Sequence, residues 1–520
     1  MKYRLLLLSL CLSACSLQSA SLPTPFPTAT TVSAQPTPTQ TATPAPTVTA
    51  TPPPPTLTTA PTATHTPAPT ATDDACGSNA QPAHTVQAQV DYAAKTVSAQ
   101  QRIRYTNRTA QPLASLVLNV EPNRWLDAFT LQSLTLGETE TDADYDLTGR
   151  RLEVALPGPL LPGCQITLSL RFSLEVPPII GGPEAFRGYF GQTVRQINLG
   201  HWLPTIAPRL DSEWLQHEAV LIGEQIVLEQ ADWEVTFTLV NAPDEAIVAA
   251  PGELLARNGP TWAFRHTNGR EFAASISHTF RQSTATSTSG VTVDVYTFPD
   301  ALVPNPDGGD WLDGGAYAAK ISAESVALFA DKFGPYPHPR LVIVQGDFPD
   351  GMEFSGFAFV STDWFTSYVG SPRSYLMLIT VHEVAHQWWY DIVGSDQAYD
   401  PWLDEALSTY SEYIYIEAYE PEIADWWWWF RVNRLNPQGA VGSSVYDFQQ
   451  IRPYINAVYL RGVLMLHEVR TLLGDDAFYA WLRRYAETNT GFIADADDLW
   501  NLLTPAQQEA AANVRATFFR

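Results

Sequence analysis

Cysteine is scarce: the 520 residues hold four, Cys11, Cys15, Cys76 and Cys164, and no two are spaced as a Cys-x-x-Cys pair. A cysteine-built zinc knuckle and a thioredoxin-type redox motif are both excluded. Basic residues are also few, 30 Lys and Arg against 55 Asp and Glu, giving a formal net charge of −25. A surface that acidic repels phosphate backbones, which excludes nucleic acid as a partner, and it favours cationic ligands. Long apolar runs are missing as well. The stretch from Leu5 to Leu10 is far shorter than the roughly 20 residues of a bilayer-spanning helix, and nothing after it reaches that length. With 45% apolar and 16% charged residues, the chain still has enough apolar material for one or two large cores.

Residues 1–15 read as an export signal, with Lys2 and Arg4 ahead of the short apolar core and Leu12-Ser13-Ala14 ahead of Cys15. The order Leu-Ser-Ala-Cys resembles a bacterial lipobox, in which the cysteine is acylated and becomes the new N-terminus. That resemblance implies a lipid anchor at Cys15 and a body held outside the cytoplasm in the cell envelope. An ordinary secretory signal with an incidental cysteine is the alternative. From Ser16 to Thr72 there is no Asp, Glu, Lys or Arg, and 33 of the 57 residues are Pro or Thr. Such a segment buries no core, so residues 16–75 are expected to form a disordered, stiff tether. Once Cys11 leaves with the signal and Cys15 is acylated, Cys76 and Cys164 remain in an oxidising compartment, as a disulfide or as two free thiols.

The body divides by periodicity. Over 76–300, short alternating runs such as Thr85 to Val90, Gln165 to Leu170 and Trp233 to Leu239 predict a β domain, a sandwich or curved sheet. Over 301–520, the runs Ala318 to Phe333, Arg373 to Ile392, Glu405 to Ala418 and Tyr459 to Leu473 have helix length, with strands at Leu341 to Val344 and Phe357 to Val360 between the first two. The fold class is multidomain α+β.

His382-Glu383-Val384-Ala385-His386 lies within the second helical run. Residues four apart sit one turn apart, so both imidazoles project from one face and form half of a zinc site, with Glu383 beside that face. A catalytic zinc takes three protein ligands and keeps one position open. Glu405, eighteen residues beyond His386 in Trp402-Leu403-Asp404-Glu405-Ala406, opens the next helix and supplies the third. Two turns on, Glu412 falls near the same face, either as acceptor for the second N–H of a ligand imidazole or as a solvated helix carboxylate.

These residues resemble the gluzincin zinc aminopeptidases of the M1 peptidase family, in a lipoprotein form without a large C-terminal helical domain. Gly351-Met352-Glu353-Phe354 resembles the family's Gly-x-Met-Glu-Asn element, with Asp350 where its first glycine stands, and Tyr459-Leu460-Arg461-Gly462 resembles Tyr-Glu-Lys-Gly. The resemblance implies a β-rich domain followed by a thermolysin-like catalytic domain and one zinc per chain held by His382, His386 and Glu405. By the same resemblance Glu383 is the general base, Tyr459 the oxyanion donor, and Glu353 the anchor for the free α-ammonium of a peptide, with Gly351 and Met352 along the same strand edge.

Phe354 replaces the usual Asn, Asp404 and Ala406 alter the usual Asn-Glu-Gly, and no β-domain glutamine for the amine is found by sequence. The expected function is release of N-terminal residues from peptides. A thermolysin-like endopeptidase and a catalytically silent surface-binding protein are the alternatives. The run Trp426 to Trp429 spans most of a helix circumference, so at least one ring is expected to be exposed and a core-plus-interface role is favoured over a sugar platform; His201, His217, His266, His278, His338 and His467 lack ligand spacing.

Overall fold

In the computed structural model, the described residues are 76–137, 140–210 and 212–520; Cys15 and the Pro/Thr tether lie outside them. The alternation read from Thr85 to Val90 gives the strand Ala83–Asp91, with even positions buried and odd ones exposed. It lies within an eight-stranded sheet ordered Glu253–Asn258, Thr261–Gly269, Ala231–Val240, Ala83–Asp91, Thr96–Thr106, Gln165–Glu175, Phe129–Leu136, Thr141–Asp142. Ala83–Asp91 pairs in parallel with Ala231–Val240 and antiparallel with Thr96–Thr106. Two four-stranded sheets, built around Leu113–Asn119 and Ile197–Leu199, share its apolar core. Cys76 is disulfide-bonded to Cys164, fastening the start of the described body to the turn before Gln165–Glu175.

The second half rests on a five-stranded sheet ordered Arg281–Thr286, Thr292–Thr297, Arg340–Gly346, Phe357–Ser361, Gly351–Phe354. Its first two strands precede the expected boundary at 300. The division therefore falls before Arg281, because Thr292–Thr297 pairs in parallel with Arg340–Gly346 rather than with any strand of the β half. Alternation along this sheet joins the two cores: Val342, Val344, Phe357 and Phe359 face the β half, while Leu341, Ile343, Ala358 and Val360 face the helices. Gly351–Phe354 pairs only with Phe357–Ser361, leaving its other edge toward the helical side.

The main helices are Gly314–Phe333, Tyr375–His386, Trp402–Tyr419, Arg461–Leu473, Asp475–Thr488 and Pro505–Phe518. The run expected to be helical through Ile392 is regular only to His386 and continues as a π-helical turn, Gln387–Ile392. Arg270, from the β half, donates to the carbonyls of Tyr390 (2.6 Å) and Asp391 (3.1 Å) and so captures the end of that segment. Two more π-helical turns follow, Trp428–Val432 and Asn456–Leu460, and the latter carries Tyr459 ahead of Arg461–Leu473. Such turns widen the helix and re-aim side chains, and they recur at functional sites. Among the described residues, no helix is long and apolar enough to cross a membrane.

Candidate active site

The helix Tyr375–His386 starts on the Ser374 side chain, which accepts from Met377 N at 3.3 Å, and everything from Leu376 to His386 is buried. His382 and His386 therefore present their rings to the interior, with ring centroids 4.6 Å apart. In the facing helix Trp402–Tyr419, Glu405 sits in the first turn, and its Oε2 lies 3.2 Å from His382 Nε2 and 3.7 Å from His386 Nε2. The ligating atoms of these three residues all fall within 4.8 Å of one another.

The outward ring nitrogens each face a carboxylate. Glu412 Oε1 lies 3.2 Å from His382 Nδ1, the position read for it from helix spacing. Glu412 is fully buried and is held by Trp427 Nε1 (3.0 Å) and by Arg431, Nη2 at 2.8 Å and Nε at 3.1 Å. Within the tryptophan run Trp427 is buried and bonds the carboxylate behind His382, while Trp429 is exposed, as a run around the whole helix circumference requires. His386 Nδ1 pairs with Asp404 Oδ1, a carboxylate where the resembled motif has an amide, and Ser408 Oγ lies 3.2 Å from the same nitrogen. A carboxylate behind a ligand imidazole fixes its orientation and raises its basicity.

Electrostatics and donor chemistry fit a divalent cation. Burial disfavours the His382 cation, yet Glu405 and Glu412 outweigh it and push His382 up to about 10. Burial, reinforced by neighbouring carboxylates, holds Glu383, Glu353 and Asp404 well above the usual carboxylate range. So many buried carboxylates on two imidazoles call for added positive charge, and two nitrogens with one carboxylate oxygen are a zinc donor set. Glu383 stands beside this set with its Oε2 unpaired and buried.

The strand Gly351–Phe354 passes close to Glu383. A Cβ at Gly351 would lie 2.2 Å from Glu383 Oε1, so only glycine permits this approach. The preceding residue, Asp350, takes φ +69°, the left-handed conformation in which Asp and Asn are the better-tolerated non-glycine residues. Gly351→Ala should displace the Glu383 carboxylate and lower kcat about 100-fold with little change in melting temperature; steady-state kinetics beside thermal unfolding checks this.

Two residues along, Glu353 is buried and turned toward the same cluster. Gln397 Nε2 donates to Glu353 Oε1 (3.1 Å), Glu224 Oε2 (2.7 Å) and Asp404 Oδ2 (2.7 Å), so three carboxylates converge on one amide. Glu224 comes from the β half and was not singled out by sequence. It sits in a segment without helix or strand, where neither periodicity nor motif marks it. Met352 is buried on the same strand, between the two cores. Tyr459 is partly buried and lies parallel to the His382 ring at 6.1 Å. Burial and Glu405 hold its phenol well above the usual range, which keeps it a donor. Ala406, the other departure from the motif, packs where Gly462 leaves room: a Cβ at Gly462 would lie 2.3 Å from Ala406 Cβ.

A His-Glu-x-x-His helix, a glutamate from the next helix and a free strand edge beside them make the gluzincin-like arrangement that the sequence resembles. Residues 317–518 match the model of the peptidase family M1 domain. The chain is 28% identical over 211 residues to aminopeptidase N of Lactobacillus delbrueckii subsp. lactis, covering 36% of this chain and 25% of the relative. It is 25% identical over 397 residues to endoplasmic reticulum aminopeptidase 2 of Bos taurus, covering 71% of this chain and 40% of the relative. The chain thus spans well under half the length of these curated relatives. Its fold is that of an M1 zinc metallopeptidase from Deinococcus radiodurans: TM-score 0.61 at 20% identity, covering 86% of this chain and 95% of that one.

Proposed function

We propose that the protein is a zinc aminopeptidase that releases the N-terminal residue of peptides. The observation that carries this reading is the convergence of Glu353 and Glu224 on one amide beside the two histidines and Glu405. Glu353, His386 and Asp404 offer ligating atoms within 4.8 Å of one another, and a peptide residue spans about 3.3–3.6 Å. An ammonium held at Glu353 therefore leaves room for one residue before the scissile carbonyl. Buried carboxylates crowded on a single N–H₂ group are short of donors, and an α-ammonium brings three.

His382, His386 and Glu405 would hold the zinc, which when bound supplies Lewis-acid polarisation of the carbonyl and a nucleophile at neutral pH. Glu383, close to Gly351 and without a partner at Oε2, accepts the proton of the attacking water and passes it to the leaving nitrogen. Tyr459 donates to the carbonyl oxygen as charge develops there. The strand edge at Gly351 and Met352 offers backbone groups to an extended peptide.

The test is one peptide, free and N-acetylated, given to the full chain with and without a zinc chelator. Chelator-sensitive release of the first residue from the free peptide alone is expected. Internal cleavage of both would make the protein an endopeptidase, and no cleavage of either by the zinc-loaded chain would favour a binding role. Glu353→Ala should raise KM for the free peptide about tenfold or more and narrow the free-to-acetylated ratio; an unchanged ratio would remove Glu353 from the amine site.

The same reading places the protein on the outer side of a membrane, anchored through Cys15 and acting on peptides there. The Leu-Ser-Ala-Cys order supports it, as does the Cys76–Cys164 disulfide, since disulfides persist in oxidising compartments. Mass spectrometry of the mature N-terminus should find an acylated Cys15; an unmodified downstream start would remove the anchor.

A further inference from the structure

Glu224 reaches the site on a segment that forms no regular structure, residues 215–230, and the way it is fastened separates it from an ordinary loop. The catalytic half grips it through two consecutive residues. Asp396 pairs with His217 Nε2 at 2.9 Å, and Gln397 donates to Glu224 at 2.7 Å. Asp396 is itself fixed, its Oδ1 accepting from Ala398 N (3.1 Å) and Tyr399 N (3.2 Å). Tyr446 Oη donates to the Glu218 carbonyl at 2.8 Å, a third tie from the catalytic half. From the β half, Arg150 donates to the His217 carbonyl (2.6 Å) and Arg124 to the Val220 carbonyl (3.0 Å). Gly223, at φ +61°, passes so near the site wall that a Cβ there would lie 2.6 Å from Val445 and 2.9 Å from the Tyr454 hydroxyl.

We propose that residues 215–230 are a specificity strap, and that His217 is a positioning residue that seats Glu224 in the amine site by latching onto Asp396. This rests on the aminopeptidase reading. Sixteen residues with no ladder of their own take their course from such side-chain ties, so loss of the latch leaves Glu224 on a longer, looser span. The ammonium then meets Glu353 without its second carboxylate. Because Glu224 contacts the amine rather than the reacting bond, the loss falls on KM more than on kcat.

The test compares the parent with His217→Ala and His217→Gln in the zinc-loaded full chain, on a free peptide and its acetylated form. His217→Ala should raise KM for the free peptide about tenfold while kcat moves less than about threefold, and the free-to-acetylated preference should fall by the same factor. His217→Gln, whose amide can donate to Asp396, should recover most of that loss. Tyr446→Phe, a milder change that keeps the ring, should move KM in the same direction by a smaller factor. A parent that prefers the free peptide while His217→Ala keeps KM within about twofold overturns the strap alone, as does a glutamine variant no better than alanine. A parent with no preference for the free amine overturns the reading beneath it and the strap with it.

Discussion

Glu383→Gln should lower kcat by about 100- to 10,000-fold, the usual share of a general base, while zinc content and melting temperature stay near the parent's. The carboxylate lies against Gly351, where no other residue could let the strand edge come so close, and its Oε2 has no hydrogen-bond partner. A buried oxygen left unpaired costs stability, and a protein retains one where the atom has work to do. Glutamine keeps the size and one acceptor but cannot take a proton. It also gives up the attraction of His382 while ending the repulsion from Glu405, Asp350 and Glu224, so the fold should change little. Zinc binding should hold because the three donors are His382, His386 and Glu405. The check is single-turnover hydrolysis beside metal analysis of the same sample; a variant as fast as the parent with full zinc would remove Glu383 from the proton transfer.

Much of this was legible in the sequence because the donor set is local. A one-turn spacing of histidines and the first turn of the next helix are helical arithmetic, and the arithmetic extends to Glu412, seven residues past Glu405 and 3.2 Å from His382 Nδ1. Strand alternation likewise announced Ala83–Asp91. What stayed hidden depends on distant pieces meeting. Glu224 lies 129 residues before Glu353 in a segment with no period, and only tertiary packing brings both to Gln397. Arg431 and Trp427 follow Glu412 closely, but nothing in an aromatic run says which ring turns inward. The π-helical turns escaped because periodicity cannot tell them from regular helix, and the place of Arg281–Thr286 and Thr292–Thr297 in the second sheet escaped because pairing, not composition, assigns it.

Glu412→Ala should weaken zinc binding about 10- to 100-fold and destabilise the fold by about 3–5 kcal/mol, the cost of leaving a buried charge without its partner. Both effects come from one side chain. Its carboxylate faces His382 Nδ1 on one side and takes two bonds from Arg431 and one from Trp427 on the other, with no exposed surface. Removing it strands the Arg431 guanidinium, whose side chain is only 15% exposed, and frees the His382 ring to turn away from the ligand geometry. The two effects separate in a double variant. Adding Arg431→Met to Glu412→Ala removes the stranded charge, so stability should return in large part, whereas zinc affinity should not, because His382 still lacks its partner. Denaturant titration and chelator competition on the four proteins of that cycle read the two quantities independently. Recovery of zinc affinity together with stability would mean that Glu412 serves the fold alone and that His382 is oriented by packing.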